Sequence, residues 1–320
     1  MYALAQLAMR SRSRAIAVTG CMAGCAYALL LSGSAATVVL AIPVALLLYA
    51  SAALVGLTAL CNGLREAALV MAGASVVVGL GLLAAHGSAM AVVGLVLSAW
   101  LPTLLAAWWL GRSSSQGDTL AAVFVMAVVL LLLVFAFTGD PAAQMEPWFE
   151  AQWQQLQDAM RKSFPEGSHS ALQADAGELA RSVAQMMVSS WVMGVVLSLL
   201  LARWWQSRLE NPGGFGLEFR ELRLPKWLAL CVLALTVLAS FSDGGIKTFT
   251  GALAQVGMLV FLLQGIAVAH GMVAAREAHR GWLIGMYVIL FVLTPMSLLV
   301  MALTGFFDTW LDYRRRAQSR

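Results

Sequence analysis

Long apolar runs separated by short polar stretches make up most of the chain. Nine runs have the length of a membrane-spanning helix, about 20 residues, or come close to it. They cover approximately residues 15–32, 36–61, 66–84, 89–110, 118–138, 183–203, 226–242, 248–271 and 281–304. The pattern predicts an all-α polytopic membrane protein with eight or nine transmembrane helices. It consists of an N-terminal transmembrane part (1–138), an extracytoplasmic segment (139–182) and a C-terminal transmembrane part (183–320).

The positions of Lys and Arg predict how the spans are oriented. Cationic loops stay in the cytoplasm, and Arg10, Arg12 and Arg14 precede the first run. The N-terminus is therefore expected inside, the acidic segment 139–182 outside and the basic loop 204–225 inside. Nine spans would place the arginines at 314–316 outside, against this rule. A break or re-entrant element at Thr294-Pro295 would leave eight full spans and both termini inside, and both counts remain open.

Composition excludes an ordinary soluble domain. The chain is 61% hydrophobic and 11% charged, whereas soluble domains carry about 25% charged residues. Seventeen of the twenty cations are arginines in loops, and no basic face with stacking aromatics indicates nucleic-acid binding. The lipid bilayer is thus the one partner that composition predicts, and the oligomeric state is not predicted.

The extracytoplasmic segment has its own pattern. Aromatic and apolar residues recur every three to four positions from Trp148 to Phe164, with Phe149, Trp153, Leu156 and Met160 between them. Polar side chains fill the other face. This predicts an amphipathic helix on the outer membrane surface, or alternatively a lid or partner-binding helix.

A polar stretch between two apolar runs, RWWQSRLENPGGFGLEFRELRLPK, is the most distinctive part of the chain; we call it the 203–226 segment. The residue before a proline leaves the helical region, and two glycines then permit a sharp turn. A short surface helix follows. It is either a rigid connector or a contact site for a cytoplasmic or membrane partner. The candidate contact residues are Asn211, Pro212, Gly213, Gly214, Phe215, Glu218, Phe219, Arg220 and Arg223.

Polar residues at membrane depth are few, and these are Gln255, Gln264 and His270. Such residues are functional candidates, although glutamine commonly joins helices by hydrogen bonds. No residue spacing indicates a metal site, a catalytic triad or a cofactor, so we expect no enzyme activity and no cofactor.

Two further motifs concern helix packing and membrane exit. Gly20, Gly24 and Ala28 form a stripe of small residues that lets helices approach closely, either within the protein or against a partner. Near the C-terminus, Asp308, Trp310, Asp312 and Arg314 belong to the stretch GFFDTWLDYRRR. Aromatic residues followed by arginines are typical of a membrane exit, which predicts a structural anchor.

Three stretches together, NPGGFGLEFRELRLPKW (211–227), LLQGIAVAHG (262–271) and GFFDTWLDYRRR (305–316), resemble the proteobacterial branch of the YybS-like integral membrane proteins, a family of unknown function. That family is distantly similar to the S components of energy-coupling-factor transporters and to the cell-shape protein MreD. The resemblance implies an S-component-like helical core. In S components, a small-residue stripe on the first helix docks onto the coupling subunit, and Gly20, Gly24 and Ala28 are similar in kind.

The resulting expectation is a non-enzymatic, multi-pass protein of the bacterial inner membrane. The first hypothesis is S-component-like binding of a small molecule between the helices, or a transport accessory role. The alternative is an MreD-like scaffold that contacts envelope-assembly partners through the 203–226 segment. A membrane enzyme acting on a lipid is a third hypothesis. A polar-lined cavity near Gln264 would favour the first, and a solidly packed core the second.

Overall fold

The fold is described from a computed structural model, over residues 2–31, 40–86, 89–163, 176–279 and 281–318. All regular elements in these ranges are helices. They are α1 (Tyr2–Ala8), α2 (Arg12–Leu31), α3 (Ala41–Asn62), α4 (Leu64–His86), α5 (Met90–Ser113), α6 (Gln116–Thr138), α7 (Pro141–Ser163), α8 (Ala176–Glu210), α9 (Gly214–Arg220), α10 (Lys226–Phe241), α11 (Gly244–Ala275), α12 (Gly281–Val292), α13 (Met296–Leu311) and α14 (Tyr313–Gln318). The all-α prediction is confirmed.

Seven helices of the described ranges are long and apolar enough to cross a membrane by length and composition: α2, α3, α4, α5, α6, α8 and α11. The helices α10, α12 and α13 are apolar but shorter, with 16, 12 and 16 residues. Among the seven long helices, α3 and α11 are the most buried. They form the centre of the bundle, and the other helices pack around them.

Local signals in the sequence end and start these helices. Gly63 and Gly139 adopt positive φ directly after α3 and α6, a conformation that glycine reaches without strain. Ser115 caps the start of α6, because its side chain accepts a hydrogen bond from the backbone N–H of Asp118 at 3.2 Å. Pro225 precedes α10 in an extended conformation. Glycine, serine and proline thus convert the apolar runs into separate helices.

Hydrogen bonds tie the helix ends into two opposite faces of the bundle. On one face, Arg12 pairs with Glu66 at 2.6 Å, and Gln116 donates to Glu218 at 3.3 Å. This face also carries the 203–226 segment and the C-terminus, and we call it the basic face. At the other end, Lys247 pairs with Glu178 at 2.9 Å. We call that end the opposite face.

The ninth apolar run, 281–304, is not one continuous helix. A turn at residues 293–295, which contains a cis Thr294-Pro295 bond, separates α12 from α13. At 1.5 Å per residue, α12 is about 18 Å long, less than the roughly 30 Å of hydrocarbon in a bilayer. It starts shortly after α11 ends, and α13 returns to Asp312, which pairs with Arg223 of the 203–226 segment at 2.6 Å. The two short helices therefore form a hairpin that begins and ends at the basic face.

Two predicted segment boundaries differ from the structure. Residues 204–210 of the predicted loop 204–225 are helical and continue α8. Seven further residues of this loop form α9. In the segment 139–182, a helix is present where the pattern from Trp148 to Phe164 predicts one, but it begins earlier: α7 runs from Pro141 to Ser163. Trp148 on α7 is exposed and contacts Phe149 edge to face. The described residues do not include Phe164.

Candidate functional site

The 203–226 segment folds into a tight turn followed by a helix. The carbonyl of Asn211 accepts the backbone N–H of Gly214 at 3.1 Å. Gly213 has φ of 96°, as the Asn-Pro-Gly-Gly sequence predicts, whereas Gly214 already begins α9. A Cβ atom on Gly214 would lie 2.6 Å from Asn211 Nδ2. The first glycine is thus needed for backbone conformation and the second for close packing, while Pro212 is exposed in the turn.

Most charged and aromatic residues of the segment make contacts within the chain. Glu218 accepts hydrogen bonds from Arg203, with Arg203 Nε at 2.9 Å. Phe219 stacks on Phe215 with ring centroids 6.0 Å apart, and it also contacts the ring of His270 edge to face at 6.1 Å. These contacts fix α9 to α8 and α11. They agree with the connector interpretation of the segment.

A buried polar network joins this segment to the C-terminus. Arg314 pairs with Asp308 at 2.8 Å, and their side chains are only 8% and 1% exposed. Gln264, which is fully buried, donates to Asp308 Oδ2 at 3.2 Å and accepts the backbone N–H of Leu224 at 2.8 Å. An unpaired charge in a protein interior is costly. The side chains of Arg314, Asp308 and Gln264 are therefore held in the one arrangement that keeps them paired.

The same arginine also holds the end of α9. Arg314 Nη1 donates to the backbone carbonyls of Arg220 and Leu222, at 2.6 and 3.0 Å. Asp308 in turn accepts the backbone N–H of Tyr313 at 2.9 Å. The residues of the C-terminal motif, for which a membrane-exit anchor is predicted, thus make contacts inside the fold. They lock α11, α13 and the 203–226 segment together.

A second, exposed ion pair lies beside this network. Arg223 binds Asp312 through two hydrogen bonds, at 3.0 and 2.6 Å. Burial alone would raise the pKa of Asp312. Hydrogen bonds from Arg223 and from the backbone N–H of Arg315, together with the nearby positive charges, hold that pKa below its usual value.

The remaining predicted residues lie apart from the network. Gln255 is exposed on α11. His270 Nε2 lies 2.9 Å from the hydroxyl of Tyr287 on α12. Trp310 is partly exposed and contacts Phe306 edge to face at 5.0 Å. Of the three residues predicted at membrane depth, only Gln264 joins helices by hydrogen bonds deep in the core.

The small-residue stripe on α2 is used only in part within the chain. A Cβ atom on Gly20 would lie 2.9 Å from Val77 on α4, so this glycine allows close packing. At Gly24 nothing lies within 4 Å of an added Cβ, and Ala28 is exposed. Gly24 and Ala28 line a shallow groove of about 320 Å³ between α2 and α4.

The hydropathy pattern gave no indication of a cavity with several polar side chains in its wall, which lies among the long helices. It encloses about 270 Å³ among α2, α3, α5 and α8, and no lining residue is charged. Its polar lining consists of Tyr27, Tyr49, Ser98, Thr103, Ser190, Trp191 and Ser198. It is not the cavity expected near Gln264, because that side chain lies on α11 and is fully buried. The packing around Gln264 is what the scaffold hypothesis expects. The cavity volume is slightly below that of most ligand pockets, roughly 300–1,000 Å³.

A π-helical turn at Val96–Trp100 shapes the wall of this cavity. Pro102 has no N–H, so it cannot bond the carbonyl of Ser98 four residues earlier. That carbonyl instead accepts the indole N–H of Trp191 at 2.6 Å. The hydroxyl of Thr103 is fully buried and has no hydrogen-bond partner in the described part of the chain. Pro102, in the middle of an apolar run, is the sequence signal for this feature.

The described part of the chain is α-helical and has seven helices that are long and apolar enough to cross a membrane. The chain belongs to the family described as "Predicted membrane protein (DUF2232)", whose model matches residues 15–309. No curated protein matches the chain. No solved structure matches it either.

Proposed function

We propose that this protein is a non-enzymatic binding protein that takes a small, uncharged polar molecule between its transmembrane helices. The observation that carries the proposal is the cavity of about 270 Å³ beside the π-helical turn. Polar groups at membrane depth are costly unless they are paired. A ligand with hydroxyl, amide or carbonyl groups would pair with the polar side chains of the lining. A small shift of the wall would bring it to the Thr103 hydroxyl, which is fully buried and has no partner among the described residues.

The location of the cavity supports uptake from the opposite face. Tyr27 lies one turn before the end of α2, and Ser98 lies two turns after the start of α5, and both of these helix ends belong to that face. The resemblance to S components favours the same mode of binding between helices. Under this proposal, the groove at Gly24 and Ala28 would receive a helix of a coupling subunit.

The test compares two threonine variants of the detergent-purified protein by native mass spectrometry. Thr103→Val removes the unpartnered hydroxyl and keeps the side-chain shape. We expect stability to stay the same or rise, and occupancy by a co-purifying small molecule to fall about two- to tenfold, the value of one hydrogen bond.

Thr19→Val is the matched control, since Thr19 is also fully buried with an unpartnered hydroxyl but does not line the cavity. It should leave occupancy unchanged. If the native protein carries no small molecule, and no compound of a metabolite pool raises its thermal stability, the binding function is refuted.

The alternative, an MreD-like scaffold, is favoured by one feature of the 203–226 segment. Asn211, Pro212 and Gly213 are exposed at the turn, and Leu217 is 62% exposed on α9. A partner protein would bind this surface. A photoreactive residue at position 217 would test it in cells, and crosslinks to lipid alone would argue against a scaffold.

We further propose an inner-membrane location with the basic face in the cytoplasm. The arginines of the N-terminus, the 203–226 segment and the C-terminus share this face, which satisfies the positive-inside rule. The hairpin of α12 and α13 leaves eight crossings if α10 also spans. We also propose that the protein belongs to the proteobacterial branch of the YybS-like family. The distant similarity of that family to S components and to MreD is part of the same proposal.

A further inference from the structure

A second cleft lies on the basic face, outside the transmembrane cavity. It encloses about 710 Å³ between α9, the last turn of α11 and α14. Four arginines line it, at positions 220, 223, 314 and 315, together with the carboxylates of Glu221 and Asp312. Leu217, Gly271 and Ala274 supply apolar wall. The lining therefore carries twice as many cationic as anionic side chains.

The four arginines are not equivalent. Arg223 and Arg314 are neutralised by ion pairs with Asp312 and Asp308. Arg220 and Arg315 form no ion pair with any described residue, and both are exposed. Two guanidinium groups that face one cleft without a carboxylate partner attract a multivalent or phosphate-bearing anion, which guanidinium binds through paired hydrogen bonds.

The cleft is built on a rigid support. The backbone of Arg220 is fixed by Arg314, whose Nη1 lies 2.6 Å from the Arg220 carbonyl. The backbone N–H of Arg315 bonds Asp312 at 3.4 Å, and Asp312 is itself held by Arg223. Arg314 is 6% exposed and its Nε has no partner among the described residues. The buried network thus fixes the backbone of the two unpaired arginines before any ligand arrives.

The depth of the cleft suits a membrane ligand. Gly271 and Ala274 belong to the last turns of the spanning helix α11, so the cleft lies where that helix leaves the bilayer. Basic pockets between transmembrane helices at this level bind the phosphate headgroups of anionic lipids. We propose that this cleft binds a phosphate group, with Arg220 and Arg315 as the side chains that hold it.

The experiment titrates phosphatidylglycerol onto the full chain in a non-ionic detergent, with native mass spectrometry as readout. The variant is Arg220→Gln with Arg315→Gln. We expect its affinity to fall on the order of tenfold, since each arginine near the surface contributes to anionic-lipid binding. The control, Arg10→Gln with Arg65→Gln, removes the same charge from exposed positions on the same face and should bind as the native chain does.

Three results would overturn the proposal: unchanged affinity in the cleft variant, an equal loss in both variants, or equal binding of diacylglycerol, which has no phosphate. Competition by soluble glycerol 3-phosphate would identify a free phosphate compound as the source. Binding of phosphatidylglycerol without such competition would identify a lipid headgroup. Both of these outcomes support the site.

Discussion

The buried pair of Arg314 and Asp308 gives the sharpest stability prediction. Replacement of Arg314 by Met leaves the Asp308 carboxylate buried without its countercharge, a change that costs about 3–5 kcal/mol in proteins. Gln264 and the backbone of Tyr313 still donate to this carboxylate. We therefore expect the lower end of that range, about 3 kcal/mol.

The double variant separates charge from packing. Asp308→Asn with Arg314→Met removes both charges and keeps the size of residue 308. It leaves the carbonyls of Arg220 and Leu222 without their donor. Since asparagine has one acceptor oxygen where Asp308 uses two, it also leaves either Gln264 or the backbone N–H of Tyr313 without its acceptor. Unsatisfied buried neutral groups cost about 1–3 kcal/mol each, less than an unpaired buried charge. The two carbonyls lose their donor in both variants, so their cost cancels in the comparison. We expect the double variant to be more stable than Arg314→Met alone.

The assay is reversible unfolding in mixed micelles with increasing dodecyl sulfate, followed by tryptophan fluorescence. Arg223→Met is the matched control, because it makes the same deletion in the neighbouring pair with Asp312. The side chains of that pair are 56% and 26% exposed, and exposed pairs contribute about 0–1 kcal/mol. Equal losses of unfolding free energy for Arg314→Met and Arg223→Met would refute the argument from burial.

Three further predictions concern packing, pH and topology. Gly305→Ala should destabilise the protein strongly, because the new Cβ would lie 2.1 Å from the carbonyl oxygen of Phe261. The control is Gly285→Ala, whose new Cβ has nothing within 4 Å and which should be neutral or stabilising by up to about 1 kcal/mol. Equal shifts in thermal stability for the two variants would contradict the packing argument. The partners of Asp312 lower its pKa. Its ion pair with Arg223 therefore stabilises the fold above the ordinary pKa of about 3.9, and this stabilisation is lost as the pH falls below that value. The difference in thermal stability between the native chain and Asp312→Asn should vanish in acid, and a difference that persists there would rule out this cause. A C-terminal fluorescent-protein fusion should be bright and an alkaline-phosphatase fusion inactive, as a cytoplasmic C-terminus requires; the reverse pattern would exclude the hairpin topology.

Pattern analysis located the polar residues of the network but not their association. Gln264 was expected to join helices, and Asp308 and Arg314 to form an anchor at a membrane exit. The break at Thr294-Pro295 was among the alternatives that the charge pattern left open. Its consequence, a return of α13 to the basic face, places Asp308 next to Gln264. Hydropathy records the apolar run but not the direction in which a broken run continues.

The transmembrane cavity was missed for a different reason. Serine, threonine and tyrosine are weakly polar, so they do not interrupt an apolar run. Tyr27, Thr103 and Ser198 lie on three different helices and meet only through packing. Pro102 indicates a break in the backbone hydrogen bonding of α5. The proline alone does not show which side chain donates a hydrogen bond to the carbonyl that is left without a backbone partner.

The sequence by itself determined the membrane class, the positions of the helices and the common sign of charge at the N-terminus and the 203–226 segment. These properties follow from hydropathy and from turn residues, which act within a few positions along the chain. Only the tertiary structure decided which polar groups meet. Pairing of Asp308 with Gln264 depends on close approach of α11 and α13, and that approach is set by side-chain shape at residues such as Gly305 rather than by any local pattern.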